Sequence, residues 1–384
     1  MKVLALIPDF LEKPSGGLGE QMKNLIRELD DRIKYYIVGY PEINNYKDYK
    51  SALSPIPNFQ HVSLTTIFGQ SIYFLEALNF KQDFDVIHAC DWSTFYAGLL
   101  CSWHFKKPLV VTMNLSLEQL NNNNIYYCAD PNTVDGIHIN NLQIAFEQMG
   151  FYYANKIIHV SKYYADLYKQ HIDKSTIIHN GIDLKNWKKQ NKSPHVIQNN
   201  KKKFCYIGRA SSMKGIETIL NSDIPNNIDF YFVVSDKNAE EPIFTNIKNK
   251  CNNKNIFHIQ GLYGQDKIDF LYEMDAMVIP SIHEPFGIVA LEALASECIV
   301  VSTGSGGISE ILENTDYFKI ENSEDLSKVF NEIKNIPDTE KNKIIQKNIK
   351  RVQNFNWELQ ANKLYEVYNE VKEMPYNPNK VVMN

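Results

Sequence analysis

The sequence predicts an α/β protein made of two doubly wound parallel-sheet domains that face a cleft. Three observations predict it. Short apolar runs alternate with amphipathic helical segments almost throughout. The runs are apolar at successive positions, as strands covered on both faces by helices must be. The alternation is interrupted by one polar stretch and then restarts, and 384 residues suit two domains of ~150 residues with roughly half a domain over.

In chain order, the first half offers strands at Val3–Ile7, Tyr35–Val38, Val86–Ala89, Leu109–Thr112, Ile157–Val160 and Thr176–Ile178. Between the first two, Leu18, Met22, Leu25, Ile26 and Leu29 fall on one face of a helix. Residues 188–203 are rich in Asn, Gln, Pro and Lys and read as a linker. The first domain is thus expected over 1–187. Strands then resume at Phe204–Ile207, Phe230–Val234, Ile256–Gln260, Ala276–Ile279 and Ile299–Ser302, giving a second domain over 204–354. Trp357, Ala361, Leu364, Tyr368 and Val371 are spaced 4, 3, 4, 3, the stripe of an amphipathic helix. It is expected over 355–374, packing back on the first domain across the linker. Residues 375–384 read as a loose tail.

Composition removes several function classes. With 40 Lys and Arg against 45 Asp and Glu, the formal charge is −5. That balance argues against nucleic acid as the main partner, which needs concentrated cations. No apolar run approaches the ~18 residues of a membrane span. Pro8 and Asp9 stop the first run short of a signal sequence. Six Cys lie scattered without a C-x-x-C pair, several within apolar segments, and fit a reducing, cytoplasmic location.

In parallel α/β sheets, ligands bind beyond the carboxyl ends of the strands. Four loops there carry suggestive residues. The first is Lys13-Pro14-Ser15-Gly16-Gly17-Leu18-Gly19, where glycines and a helix N-terminus offer amides to an anion; a plain turn is the competing reading. In the second, Gly208-Arg209 and Lys214-Gly215 place two cations five residues apart, suited to one phosphate group or to a solvated basic loop. The third is the most specific: Glu284 and Glu292 bracket seven residues, with Pro285-Phe286-Gly287 turning into a helix that begins near Ile288. Glu292 falls beside the apolar stripe of that helix, where a carboxylate needs a ligand or a donor. The fourth, Thr303-Gly304-Ser305-Gly306-Gly307, offers further backbone donors or a simple turn. Asp83-Phe84-Asp85 matches a metal-holding D-x-D string but precedes its strand, the wrong end for a ligand.

Together these strings resemble the retaining GT-B fold glycosyltransferases, the group that contains the starch and glycogen synthases and the related group 1 transferases. Glu284 to Glu292 resembles the E-x7-E motif, and Arg209 with Lys214 the diphosphate site. Lys13 to Gly19 is similar to the K-x-G-G-L loop of glycogen synthases with one extra residue. Ile87-His88-Ala89-Cys90-Asp91-Trp92-Ser93-Thr94 resembles V-H-x-H-D-W-H-T, and Asn180-Gly181-Ile182-Asp183 with Trp187 resembles N-G-I-D-x-x-x-W. Phe355-Asn356-Trp357 is similar to the start of the family's closing helix. One departure stands out: Thr112-Met113-Asn114 replaces a T-x-H string, so Asn114 keeps hydrogen bonding but carries no charge.

The resemblance implies two Rossmann-like domains and metal-independent transfer of a hexose, glucose first, from UDP- or ADP-glucose to an α-1,4-glucan. It implies no cofactor beyond that substrate. Arg209, Lys214, Glu284 and Asn114 would be catalytic. Gly16, Gly17, Lys13, Phe286, Gly287, Ile288 and Glu292 would bind the donor, and Asp91 and Trp92 the acceptor. A lipid, small-sugar or protein acceptor is the alternative within enzymes. A catalytically silent sugar-nucleotide or glycan-binding protein is the alternative outside them, motivated by Asn114. Tyr126, Tyr127, Tyr152 and Tyr153 offer rings for sugar stacking, though with 22 Tyr in the chain packing accounts for most of them.

Overall fold

A computed structural model of the chain describes residues 1–9, 16–39, 49–51, 67–118, 134–235 and 239–374. It divides into two units, one formed by Met1–His179 with Trp357–Asn384 and the other by Asn180–Asn356.

The first unit holds a seven-stranded sheet: β1 (Lys2–Leu6), β2 (Lys34–Gly39), β3 (Tyr49–Ser51), β4 (Val86–Cys90), β5 (Leu109–Met113), β6 (Lys156–His159) and β7 (Ser175–Ile177). Their order is β3-β2-β1-β4-β5-β6-β7, and every pairing is parallel. The second unit holds β8 (Lys202–Ile207), β9 (Ile228–Val233), β10 (Ile256–Ile259), β11 (Ala276–Ile279), β12 (Ile299–Ser302) and β13 (Phe318–Lys319), in the order β10-β9-β8-β11-β12-β13, also all parallel. The central strands β4, β5, β11 and β12 are buried at every position. That is why the sequence shows unbroken apolar runs there. β3 and β13 are short edge strands that the apolar pattern does not announce.

Strand order reverses between β1 and β4 in one unit and between β8 and β11 in the other. Such switch points part the loops at the carboxyl ends of the strands and open a crevice for ligands. Three of the four glycine- or cation-bearing loops follow β1, β8 and β11, and the fourth follows β12, next to β11.

The helix Trp357–Lys372 belongs to the first unit. Trp357, Ala361, Leu364, Tyr368 and Val371 are buried in one core with Val3, Met22, Leu25 and Ile37. Lys156 pairs with Glu370 at 2.7 Å and Arg32 donates to Asn362 at 2.8 Å. Inside that core the His88 ring lies between the Tyr368 hydroxyl, 2.6 Å from Nδ1, and Thr112 Oγ1, 2.7 Å from Nε2. Burial pushes its pKa down to about 3, so the imidazole is neutral and each nitrogen serves one partner. Tyr368→Phe removes one partner and leaves a buried ring nitrogen unsatisfied. A loss of about 1–3 kcal/mol in urea unfolding is expected, and a loss under about 0.5 kcal/mol would show that the contact holds nothing.

The boundaries differ from those expected at 187 and 354. Residues 188–203, expected as a linker, lie along the second unit. The Gln190 amide donates to Asp269 at 2.7 Å, Ser193 to Glu273 at 2.8 Å, and Ile197 to the Tyr231 hydroxyl at 3.1 Å. Trp187 Nε1 donates to Ser296 at 2.8 Å. A polar segment is not a loose one when its amides find acceptors on the folded unit beside it.

Candidate functional site

In the second unit, the loop after β8 closes with a tight turn, Ser212–Lys214, ended by Gly215 in the left-handed region (φ +62°). A Cβ on Gly215 would lie 2.0 Å from the Pro280 carbonyl oxygen, so this backbone sits directly on the loop after β11. The Ile282 amide donates back to Met213 at 3.1 Å. The result is that Lys214 Nζ lies 2.7 Å from Glu284 Oε2, which also accepts from Ser281 Oγ at 3.2 Å. Arg209 is exposed at the start of the same loop, its carbonyl accepting from the Tyr206 hydroxyl at 2.6 Å.

Glu284 is also held through its backbone. Its carbonyl accepts from Gly307 at 2.8 Å, and a Cβ on Gly306 would lie 2.3 Å from that oxygen. Thr303 Oγ1 donates to Ser281 and Ser305 Oγ to Ile282, each at 2.7 Å, so the loop after β12 is laid against the loop after β11. Gly287 (φ +98°) begins the helix Ile288–Ala295. Phe286 points into the interior and meets Phe355 edge-on, with ring centroids 5.9 Å apart.

Glu292, on that helix, is only 6% exposed. Its Oε1 is 2.5 Å from Lys267 Nζ, while Oε2 is buried without a hydrogen-bond partner among the described residues. The Lys267 ammonium also lies 5.9 Å from the centroid of the Trp187 ring. Sequence reasoning missed Lys267, 25 residues before its partner. The available signal was Glu292 itself, since a buried carboxylate needs a cation or donors.

In the first unit, Gly16 caps the helix Gly17–Leu29 in extended conformation, with no atom of the described residues within 4 Å of the position of a Cβ. The Gly19 amide donates to Asp9 Oδ2 at 3.1 Å, so one first-turn donor is already engaged by a carboxylate. Lys13, Tyr126 and Tyr127 lie outside the described residues. Asp91 follows β4 with φ +69°, an unusual backbone for a residue with a side chain. It accepts from the Trp92 amide at 2.9 Å and also from the Leu115 amide. Burial, with Glu147 adding to it, pushes its carboxyl up to about 7. Trp92, expected to face an acceptor, is 5% exposed and packed within the unit. Asn114 follows β5, next to β4, and its Nδ2 is buried without a partner among the described residues. Glu147, a second buried carboxylate near Asp91, was not anticipated. Tyr152 is largely exposed, and Tyr153 meets Trp103 edge-on. Asp83 and Asp85 lie at the amino end of β4, where Asp85 accepts from the Lys2 amide at 2.7 Å and Asp83 pairs with Lys107 at 3.0 Å.

The structure thus brings Lys214, Glu284 and the loop after β12 together in the second unit, and Asp91 and Asn114 onto neighbouring strand ends in the first. Among the described residues no helix is long and apolar enough to cross a membrane.

Comparison with known proteins bears on the family and the fold. Residues 15–186 match the family described as Glycosyltransferase Family 4, and residues 188–352 match Glycosyl transferases group 1. An uncharacterized glycosyltransferase of Methanocaldococcus jannaschii is 25% identical over 338 residues, 82% of this chain and 83% of the relative. Among solved structures, sucrose-phosphate synthase from Thermosynechococcus elongatus is similar with a TM-score of 0.75 at 18% identity, covering 96% of this chain and 99% of that one. Anabaena HepE in complex with UDP and glucose is similar with a TM-score of 0.73 at 17% identity, covering 96% and 100%. The two family matches meet at the end of the segment resembling N-G-I-D-x-x-x-W and between them take in both sheets, so the chain belongs to the group 1 glycosyltransferases and has the GT-B fold.

Proposed function

We propose that the protein transfers a hexose, glucose first, from a UDP- or ADP-sugar to an acceptor with retention at the anomeric carbon, and that the acceptor is an α-1,4-glucan. The observation that carries this reading is the Lys214–Glu284 pair beside a switch point, with one buried oxygen of Glu292 left open on the helix that follows. Arg209 and Lys214 receive the charge that builds on the diphosphate as its bond to the sugar breaks. Fixed charge of this kind is usually the largest catalytic term. These two cations serve where other transferases use a metal. Gly16, Gly17 and Lys13 add donors at the helix N-terminus of the first unit. Glu292 Oε2 accepts the ribose hydroxyls, and Lys267 holds the other oxygen.

Glu284 and the turn Phe286-Gly287-Ile288 flank the donor sugar, to which Asn114 offers its amide. The acceptor oxygen bonds to the sugar carbon on the face that the diphosphate leaves, and its proton passes to the leaving phosphate. Asp91 orients the acceptor. Trp92 supports it from beneath rather than by an open ring. The glucan acceptor rests on the glycogen-synthase-like strings at Lys13–Gly19 and Ile87–Thr94. The UDP and glucose bound by HepE support a nucleotide-sugar donor.

Nucleotide release from UDP-glucose and ADP-glucose, with and without glycogen, tests the reading. Release that depends on glycogen is expected. Nucleotide binding with no release from either donor favours the silent binding protein that Asn114 allows. A second measurement addresses the ribose contact. Glu292→Gln is expected to weaken UDP or ADP binding about tenfold by calorimetry, the size of one charge-assisted hydrogen bond. Unchanged affinity would remove Glu292 from the site.

A further inference from the structure

Glu147 lies on the helix Val134–Tyr153 and is fully buried. Its carboxylate serves the segment that follows β5. Oε2 accepts from the Leu117 amide at 2.7 Å. Oε1 accepts from the Ser116 hydroxyl at 2.9 Å and from the Tyr168 hydroxyl at 2.5 Å, and those two hydroxyls also touch each other. Asp91 grips the same segment from the end of β4, accepting from the Leu115 amide. Two carboxylates from different elements therefore hold three of the four residues Asn114–Leu117.

This arrangement is costly. Among the described residues neither carboxylate has a Lys or Arg in ion-pair contact. Burial pushes both carboxyls up to about 7. Asp91 holds its partners with its backbone at φ +69°. Strained backbone and unpaired buried carboxylates gather at functional sites more than in plain scaffolds. What the segment carries is Asn114, whose buried amide donor has no partner among the described residues.

We propose that Glu147, together with Asp91, is a positioning residue for sugar transfer: it fixes Asn114–Leu117 so that the Asn114 amide meets the transferred sugar. This rests on the reading of Asn114 as a sugar contact. Glu147 touches no substrate and acts through the segment it holds. A purely structural tie between helix and loop would lower stability without changing the chemical step selectively.

The experiment uses the full chain, UDP- and ADP-glucose as donors and glycogen as acceptor. Glu147→Ala is expected to lower kcat for transfer about tenfold or more, because a misplaced contact of about an ångström has effects of that order. Donor KM and the Kd for UDP or ADP stay within about twofold. Glu147→Gln, which keeps an acceptor for the Leu117 amide and a polar partner for the two hydroxyls, recovers most of kcat. In an Asn114→Ala background the Glu147→Ala loss largely disappears, because both changes remove the same contact.

A kcat within about twofold of wild type in Glu147→Ala overturns the proposal. So does a loss that persists in full in the Asn114→Ala background, or a Glu147→Gln as impaired as Glu147→Ala. Where Glu147→Ala does not fold, Ser116→Ala takes its place: kcat down about threefold or more at unchanged donor KM is expected, and unchanged kcat overturns. Wild-type protein that transfers from neither donor defeats the functional reading itself, and this proposal with it, whereas the mutant outcomes defeat the positioning role alone.

Discussion

Replacing Lys214 by Ala is expected to lower kcat for sugar transfer by about 10²–10³-fold, the usual loss when one preorganised donor to a developing charge is removed. Lys214 is only partly exposed and 2.7 Å from Glu284, which is itself almost wholly buried. Its ammonium is therefore held at a fixed place before any substrate arrives. The same substitution has a second, separable effect. Glu284 keeps Ser281 as a donor but loses its cation, which is expected to lower unfolding free energy by about 1–3 kcal/mol. Steady-state nucleotide release and urea unfolding read the two effects independently. A folded Lys214→Ala whose kcat lies within about threefold of wild type would place the leaving diphosphate elsewhere.

Gly215→Ala is expected to have the largest effect on stability. The left-handed backbone at φ +62° costs an L-residue about 1–2 kcal/mol. The added methyl carbon would also stand 2.0 Å from the Pro280 oxygen and 2.9 Å from its carbon, both backbone atoms with no rotamer to yield. Overpacking of this kind adds about 1–3 kcal/mol, so a total near 3 kcal/mol or more is expected in urea unfolding. Because the chain has two units, the loss should appear in the transition of the second unit alone. The turn that presents Lys214 moves with Gly215, so surviving folded protein should also lose turnover. A cost under about 1 kcal/mol would show that the loops after β8 and β11 separate easily, against the contact described.

The sequence was most legible where burial is two-sided. Val86–Cys90 and Ile299–Ser302 are apolar because helices cover both faces, and a parallel sheet follows from that. Tyr49–Ser51 and Phe318–Lys319 are short edges and leave no such mark. The strings Glu284–Glu292 and Arg209–Lys214 stand out in the sequence because their spacing is local. Lys267 and Glu147 do not, because their partners come from other elements. Glu147 reaches Ser116 and Leu117 across about 30 residues, and nothing in a run such as Ala145-Phe146-Glu147-Gln148 marks one Glu as buried. The crossings between units were blurred for a different reason. The polar composition of 188–203 indicates turns, and turns can be hydrogen-bonded as firmly as helices.

The last helix has a consequence for synthesis on the ribosome. Domains usually fold in the order they emerge, amino-terminal first. Here the core around Val3, Met22 and Leu25 lacks a wall until Trp357–Val371 has been made, which is after the whole of Asn180–Asn356. Within that inserted unit, the inbound and outbound ends are already tied, the Ile182 amide donating to the Phe355 carbonyl at 2.7 Å. The inserted unit can therefore close while the first unit still exposes apolar surface. The strand Lys2–Leu6 is therefore expected to be fully covered only after the inserted unit, which follows it in the chain, has been made.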